Sequence, residues 1–109
     1  MSISTHVLDT MRGTPAAGLD VTLDRREPDG DWKEIGTGST DSDGRLKSLT
    51  DEALEAGEYR LRFETRPYFE RSGLGAFYPE ITVVFTLEGG HLHVPLLLSA
   101  FGYTTYRGT

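Results

Sequence analysis

The 109-residue sequence contains no cysteine. That excludes disulfide staples, a thiolate nucleophile and any Cys-ligated metal. No continuous apolar stretch approaches the ~20 residues that a membrane-spanning helix needs. The opening, MSISTHVLDT, lacks the basic and apolar segments of a secretory signal, and the end is not a Ser-Lys-Leu type address. These absences lead us to expect a cytoplasmic protein. Positive charge is also in short supply: 11 Lys and Arg stand against 17 Asp and Glu, a formal net charge of −6. Neither nucleic acid nor an anionic membrane is an expected partner, because both require clustered cations. A small anionic ligand stays open, since one local arginine outweighs distant charge. Histidine is scarce, with three in the chain, so where each one falls is informative.

What remains is ordinary for a folded domain: 37% hydrophobic and 26% charged residues. The length suits one domain over residues 1–109. A chain this short buries only a modest core, so association of copies is a natural supplement.

The dominant period is two. Ile3, Thr5, Val7 and Asp9 alternate with Ser4, His6 and Leu8. Leu19, Val21 and Leu23 share one face of a strand, with Asp20, Thr22 and Asp24 on the other. EPDGD and DSDG supply turn signals, and Arg45 directly follows the second. GEYRLRFET, then Ile81 to Leu87, then His91 to Ser99, then a short Phe101 to Tyr106 continue the alternation. Two segments have helical character. TDEALEAG (50–57) suits a single turn. TRPYFERSG (65–73) suits a short helix, with Thr65 capping, Pro67 in the first turn and Gly73 past the end. Seven to eight short strands, one short helix and turn signals every 8–12 residues or so predict an all-β, antiparallel β-sandwich.

His91 and His93 lie one residue apart in a strand, so they point to the same face, roughly 6.5–7 Å apart. The opposite face carries Leu92, Val94, Leu96 and Leu98, a plausible core row. His6 sits mid-strand near the other end of the sequence. A lone strand histidine is ordinarily a half-exposed surface residue. If the three meet, two chemistries compete. A His-x-His pair with a third His makes a three-nitrogen zinc site. Alternatively, imidazoles that titrate near neutrality supply a base and an acid without metal. Arg45, at the start of a strand, is either a solvated turn residue or a planar fork for an anionic or carbonyl-rich ligand.

HVLDTMRGTPAAGLDV (6–21) and HVPLLLSAFGYTTYRGT (93–109) resemble the two terminal signatures of the transthyretin family. TDSDGR, GEYRLRFETRPYF and AFYPEITVVF resemble its internal blocks in the same order, so the likeness spans essentially the whole chain. The second signature takes the form that ends in a Tyr-Arg-Gly-Ser-like tetrapeptide. That ending, with histidines at 6 and 93, is similar to the family's 5-hydroxyisourate hydrolases rather than to its secreted hormone carriers. The resemblance implies a transthyretin-like sandwich and hydrolytic opening of 5-hydroxyisourate without metal or other cofactor. It further implies a homotetramer, a dimer of dimers, with active sites at the dimer–dimer interface. Residue by residue, it implies catalytic roles for His6, Arg45 and His93. Tyr106, Arg107, Gly108 and Thr109 become substrate-binding, and His91 a supporting residue behind them. Two positions depart from the pattern: Thr109 replaces the usual serine, and Leu92 stands where an aromatic is common. The alternative within the same fold is a carrier of a small aromatic ligand without catalysis.

Overall fold

The computed structural model describes residues 1–109. Its elements follow the two-residue period. In chain order they are β1 (Ser2–Asp9), β2 (Thr14–Pro15), β3 (Asp20–Arg26), β4 (Trp32–Ser39), β5 (Arg45–Leu46), β6 (Gly57–Phe63), α1 (Thr65–Arg71), β7 (Ile81–Leu87), β8 (His91–Leu98) and β9 (Tyr103–Thr105). Two sheets face each other. One is five-stranded, in the order β2-β1-β8-β9 with β5 also paired to β1; the other is four-stranded, in the order β4-β3-β6-β7. The expected sandwich is therefore present, and its strands pair antiparallel with one exception: β1 and β8 run parallel.

The alternation assigns the core. Ile3, Val7, Leu19, Val21, Leu23, Leu61, Phe63, Leu96 and Leu98 are all buried between the sheets. The outer face of the four-stranded sheet departs from the expected solvated row. A register shift between Leu23 and Asp24 interrupts the β3–β4 ladder. Asp24 is only 1% exposed, covered by Arg60 (2.8 Å) and Arg62 (2.7 Å) from β6. Arg26 and Arg60 lie over the Trp32 ring at 4.4 and 4.7 Å, so arginines and an indole roof the carboxylate.

The helix forms where expected, but Thr65 is not its cap. It is the first helical residue, and its hydroxyl donates to the Tyr78 carbonyl at 2.7 Å. Gly73 follows the helix at φ +74°, with its N–H donating to the Glu70 carbonyl. Residues 50–56 form no helical turn, only bends at 51–52 and 56, and Gly57 already begins β6. Tyr59 fixes them instead: its hydroxyl accepts from the Glu55 N–H and donates to the Glu55 carbonyl.

Candidate active site

The DSDG turn delivers the arginine. The Asp41 carboxylate accepts hydrogen bonds from the backbone N–H groups of Asp43 and Arg45, both at 2.9 Å. These bonds hold the Asp41 carboxyl below its ordinary range; the contact with Arg45 is the largest cause. Gly44 takes φ +74°, and a Cβ there would lie 2.4 Å from the Val7 carbonyl oxygen. Only glycine lets the turn press this closely onto β1. The Val7 N–H then donates to the Gly44 carbonyl at 2.8 Å, and Arg45 comes to lie directly opposite His6 in the β1–β5 ladder.

On its other side, β1 pairs with β8. The register sets Ser2 opposite His91, Ser4 opposite His93 and His6 opposite Pro95. One polar face therefore carries Ser2, Ser4 and His6 from the start of the chain beside His91 and His93 from near its end. Ser4 Oγ is hydrogen-bonded to His93 Nδ1 and to His91 Nε2, both at 2.8 Å. Ser2 Oγ is hydrogen-bonded to His91 Nδ1 at 2.6 Å. His6 Nε2 donates to the Asp43 carbonyl at 2.9 Å. A carbonyl only accepts, so this bond places a proton on Nε2.

The tail closes the arrangement. The Gly108 N–H donates to the His93 carbonyl at 2.8 Å. A Cβ on Gly108 would fall 2.7 Å from His93 Cδ2, so the tail fits against the imidazole because position 108 has no side chain. Thr109, Arg45, Lys47, His91, His93 and Ser4 line one cleft of about 240 Å³. His93 is half-buried there. Burial, then the charges of Arg45, His6 and His91, hold its imidazolium form below the ordinary histidine range. An unprotonated imidazole beside a guanidinium can take a proton from a bound water while the cation offsets charge on a neighbouring oxygen.

Not every expected residue meets the others. His6 adjoins the cleft but makes no hydrogen bond to His93, since its Nε2 is turned to Asp43. Tyr106 and Arg107 line a different recess of about 250 Å³, with Val83, Phe85, Leu92 and Val94. Leu92 packs there as an apolar wall. No group of three or more His, Cys, Asp or Glu is placed to hold a metal ion, so the three-nitrogen arrangement that spacing allowed is not assembled within the chain. Ser2, Ser4 and Lys47 were missed by sequence reasoning. The serines carried a signal: Ser2, Ser4 and His6 alternate on one strand face.

The sequence profile of the HIUase/Transthyretin family matches residues 3–108. The chain belongs to the HIUase/Transthyretin family. Within it, a 5-hydroxyisourate hydrolase of Salmonella dublin is 47% identical over 110 residues, covering 98% of this chain and 80% of that protein. The structure of Klebsiella pneumoniae 5-hydroxyisourate hydrolase superposes with a TM-score of 0.89 at 34% identity, over 100% of both chains. Sea bream transthyretin in complex with thyroxine superposes with a TM-score of 0.93 at 33% identity, over 99% of this chain and 95% of that one. HIUase/Transthyretin family members thus share this backbone whether their names describe a hydrolase or a thyroxine complex.

Proposed function

We propose that this protein hydrolyses 5-hydroxyisourate to 2-oxo-4-hydroxy-4-carboxy-5-ureidoimidazoline, in the degradation of urate. The observation that carries the reading is the convergence of Arg45, His93 and Thr109 on one cleft, in a chain 47% identical to a hydrolase of that substrate. Opening a cyclic amide requires a deprotonated water, a stabilised oxyanion and a protonated leaving nitrogen. His93 is the base: its Nδ1 is held by Ser4, and the neutral ring is favoured by its surroundings. His6 is its partner. Arg45 binds the carbonyl edge and offsets the developing negative charge. Thr109 and Gly108 position the ring, with Tyr106 and Arg107 joining from the next copy across an assembly interface. His91 supports His93 through Ser4, which bonds both rings. No step calls for a metal or cofactor.

A homotetramer, as a dimer of dimers, fits this reading. β7 and β9 each pair on one side only, and Val84, Tyr103 and Tyr106 are exposed along that side. No helix is long and apolar enough to cross a membrane, and we place the reaction in the cytoplasm.

The test adds protein to freshly generated 5-hydroxyisourate and follows the decay of its ultraviolet absorbance against a buffer control. Decay faster than the spontaneous reaction is the expected result. Saturable binding of the compound with an unaltered decay rate would instead identify a carrier and overturn the enzymatic reading.

A further inference from the structure

The residues that line the cleft include two fixed cations, Arg45 and Lys47, and two imidazoles, but no Asp or Glu. In a chain with 17 acidic residues against 11 basic ones, this is a local excess of positive charge. Neither cation is neutralised from within the chain. The ion pairs of the molecule engage Arg12, Arg25, Arg26, Arg60 and Arg62. Asp41 is near enough for its carboxyl to feel both charges, but it serves its own turn. Its Oδ1 accepts from the backbone N–H groups of Asp43 and Arg45 at 2.9 Å each, and it forms no ion pair with either side chain.

Arg45 and Lys47 are not duplicates. Leu46 between them packs against the core, so its neighbours on both sides turn to the outer face. In the antiparallel ladder Arg45 stands opposite His6 and Leu46 opposite Thr5. The next step carries Lys47 towards Ser4, which pairs with His93 on the far side of β1. The two cations thus occupy successive places along the cleft. The guanidinium offers a planar fork that suits a carbonyl edge; the ammonium is a compact point charge on a flexible stem.

Ring opening changes what these cations face. The cyclic substrate has an amide and no carboxylate. The oxygen of water bonds to the carbonyl carbon and the ring C–N bond breaks. One proton of the water ends on the leaving nitrogen. The other is lost to solvent when the new acid ionises, since a carboxylic acid with a pKa of about 4 is charged at neutral pH. The product therefore carries a carboxylate that the substrate lacks, beside a ureido group.

We propose that Lys47 binds the carboxylate that ring opening creates, which makes the cleft a site for ureido carboxylates as well as for the cyclic substrate. This rests on the hydrolytic reading above. Arg45 offsets charge on the reacting oxygen, and Lys47 holds the finished carboxylate. The product is then a competitive inhibitor, and turnover slows wherever product is not removed.

Hydantoate, a small stable ureido carboxylate, tests the site beside its neutral amide. In the full-length wild-type protein, hydantoate should inhibit hydrolysis competitively and the amide should not. Lys47 is exposed, so Lys47→Gln should raise the inhibition constant of hydantoate by about fivefold, the upper range for one charge pair open to water. KM for the cyclic substrate should rise less, and Lys47→Arg should keep the inhibition constant within about twofold of the wild type. Equal inhibition by acid and amide, no inhibition by hydantoate, or an unchanged constant in Lys47→Gln would overturn the proposal. A larger rise in KM than in the inhibition constant would also overturn it, by making Lys47 a substrate-binding residue. Calorimetric binding of hydantoate needs no turnover, so it reads the carboxylate site even if the wild-type protein fails to accelerate decay and the hydrolytic reading falls.

Discussion

In the proposed reaction His93 is the base, a role it fills only while neutral, and its surroundings favour that form. The acid limb of kcat/KM should therefore lie below 6.5, the usual histidine value. Activity is full above that limb and falls as pH drops through it. Arg45→Ala removes one of the charges that depress it, so the residual activity should show a limb moved upward. A pH profile of both proteins checks the sign. Arg45→Ala and His93→Ala should each reduce turnover by roughly 10²-fold or more in a folded protein. Gly108→Ala asks for space that His93 Cδ2 occupies at 2.7 Å. It should displace the imidazole and lower kcat while the melting temperature stays close to that of the wild type. Asp24 presents a different case. Burial raises its carboxyl, but hydrogen bonds and charges from Arg62 and Arg60 outweigh burial and hold it below the ordinary 3.8. The stabilisation is complete above the ordinary carboxylate range and is lost as pH falls through the depressed value. Asp24→Ala leaves Arg60 without its carboxylate and Arg62 with only Glu34 at 3.3 Å, and should cost about 3 kcal/mol, measured by chemical denaturation at pH 7. The histidines and Arg45 were legible because their residue types are rare or follow a turn. Asp24 was not, because alternation assigns a face without saying what roofs it.

Among the elements, the strands were legible from their period and the pairing between them was not. Nothing in SISTHVLD or HLHVPLLL states that the two run parallel, yet this register alone sets Ser4 beside His93. The capping of α1 was misread because Thr65 has a stronger partner in the Tyr78 carbonyl than in its own helix. The tail gives the sharpest prediction at this scale. β9 holds its place through Leu96, Leu97 and Leu98 of β8, and residues 106–109 lie beyond it, with a single bridge from Gly108 to His93. Deleting Tyr106 to Thr109 should abolish hydrolysis and leave far-ultraviolet circular dichroism and the unfolding midpoint nearly unchanged. An active deletion variant would show the tail to be dispensable.

As a whole molecule, the chain carries net charge −6 but gathers Arg45 and Lys47 at one cleft, a local positive field set against the overall charge. In the proposed tetramer a partner copy covers the recess beside Tyr106 and the open β7 and β9 edges. Sizing by light scattering should give about four times the 12.1 kDa of the chain; a stable monomer with full activity would remove the tetramer from the mechanism. The parallel β1–β8 pairing also governs how the molecule is made. Ser2 and His91 are 89 positions apart, so the middle of the five-stranded sheet closes across nearly the whole sequence. Contacts this distant form slowly and late. On the ribosome, β1 is made long before β8, and its edge on that side stays unpaired until β8 arrives, an open strand edge in the nascent protein. The four-stranded sheet, whose strands are all made earlier than β8, can assemble in the meantime. The final event of folding is then the one that builds the site, and recovery of activity on refolding should lag the appearance of β structure.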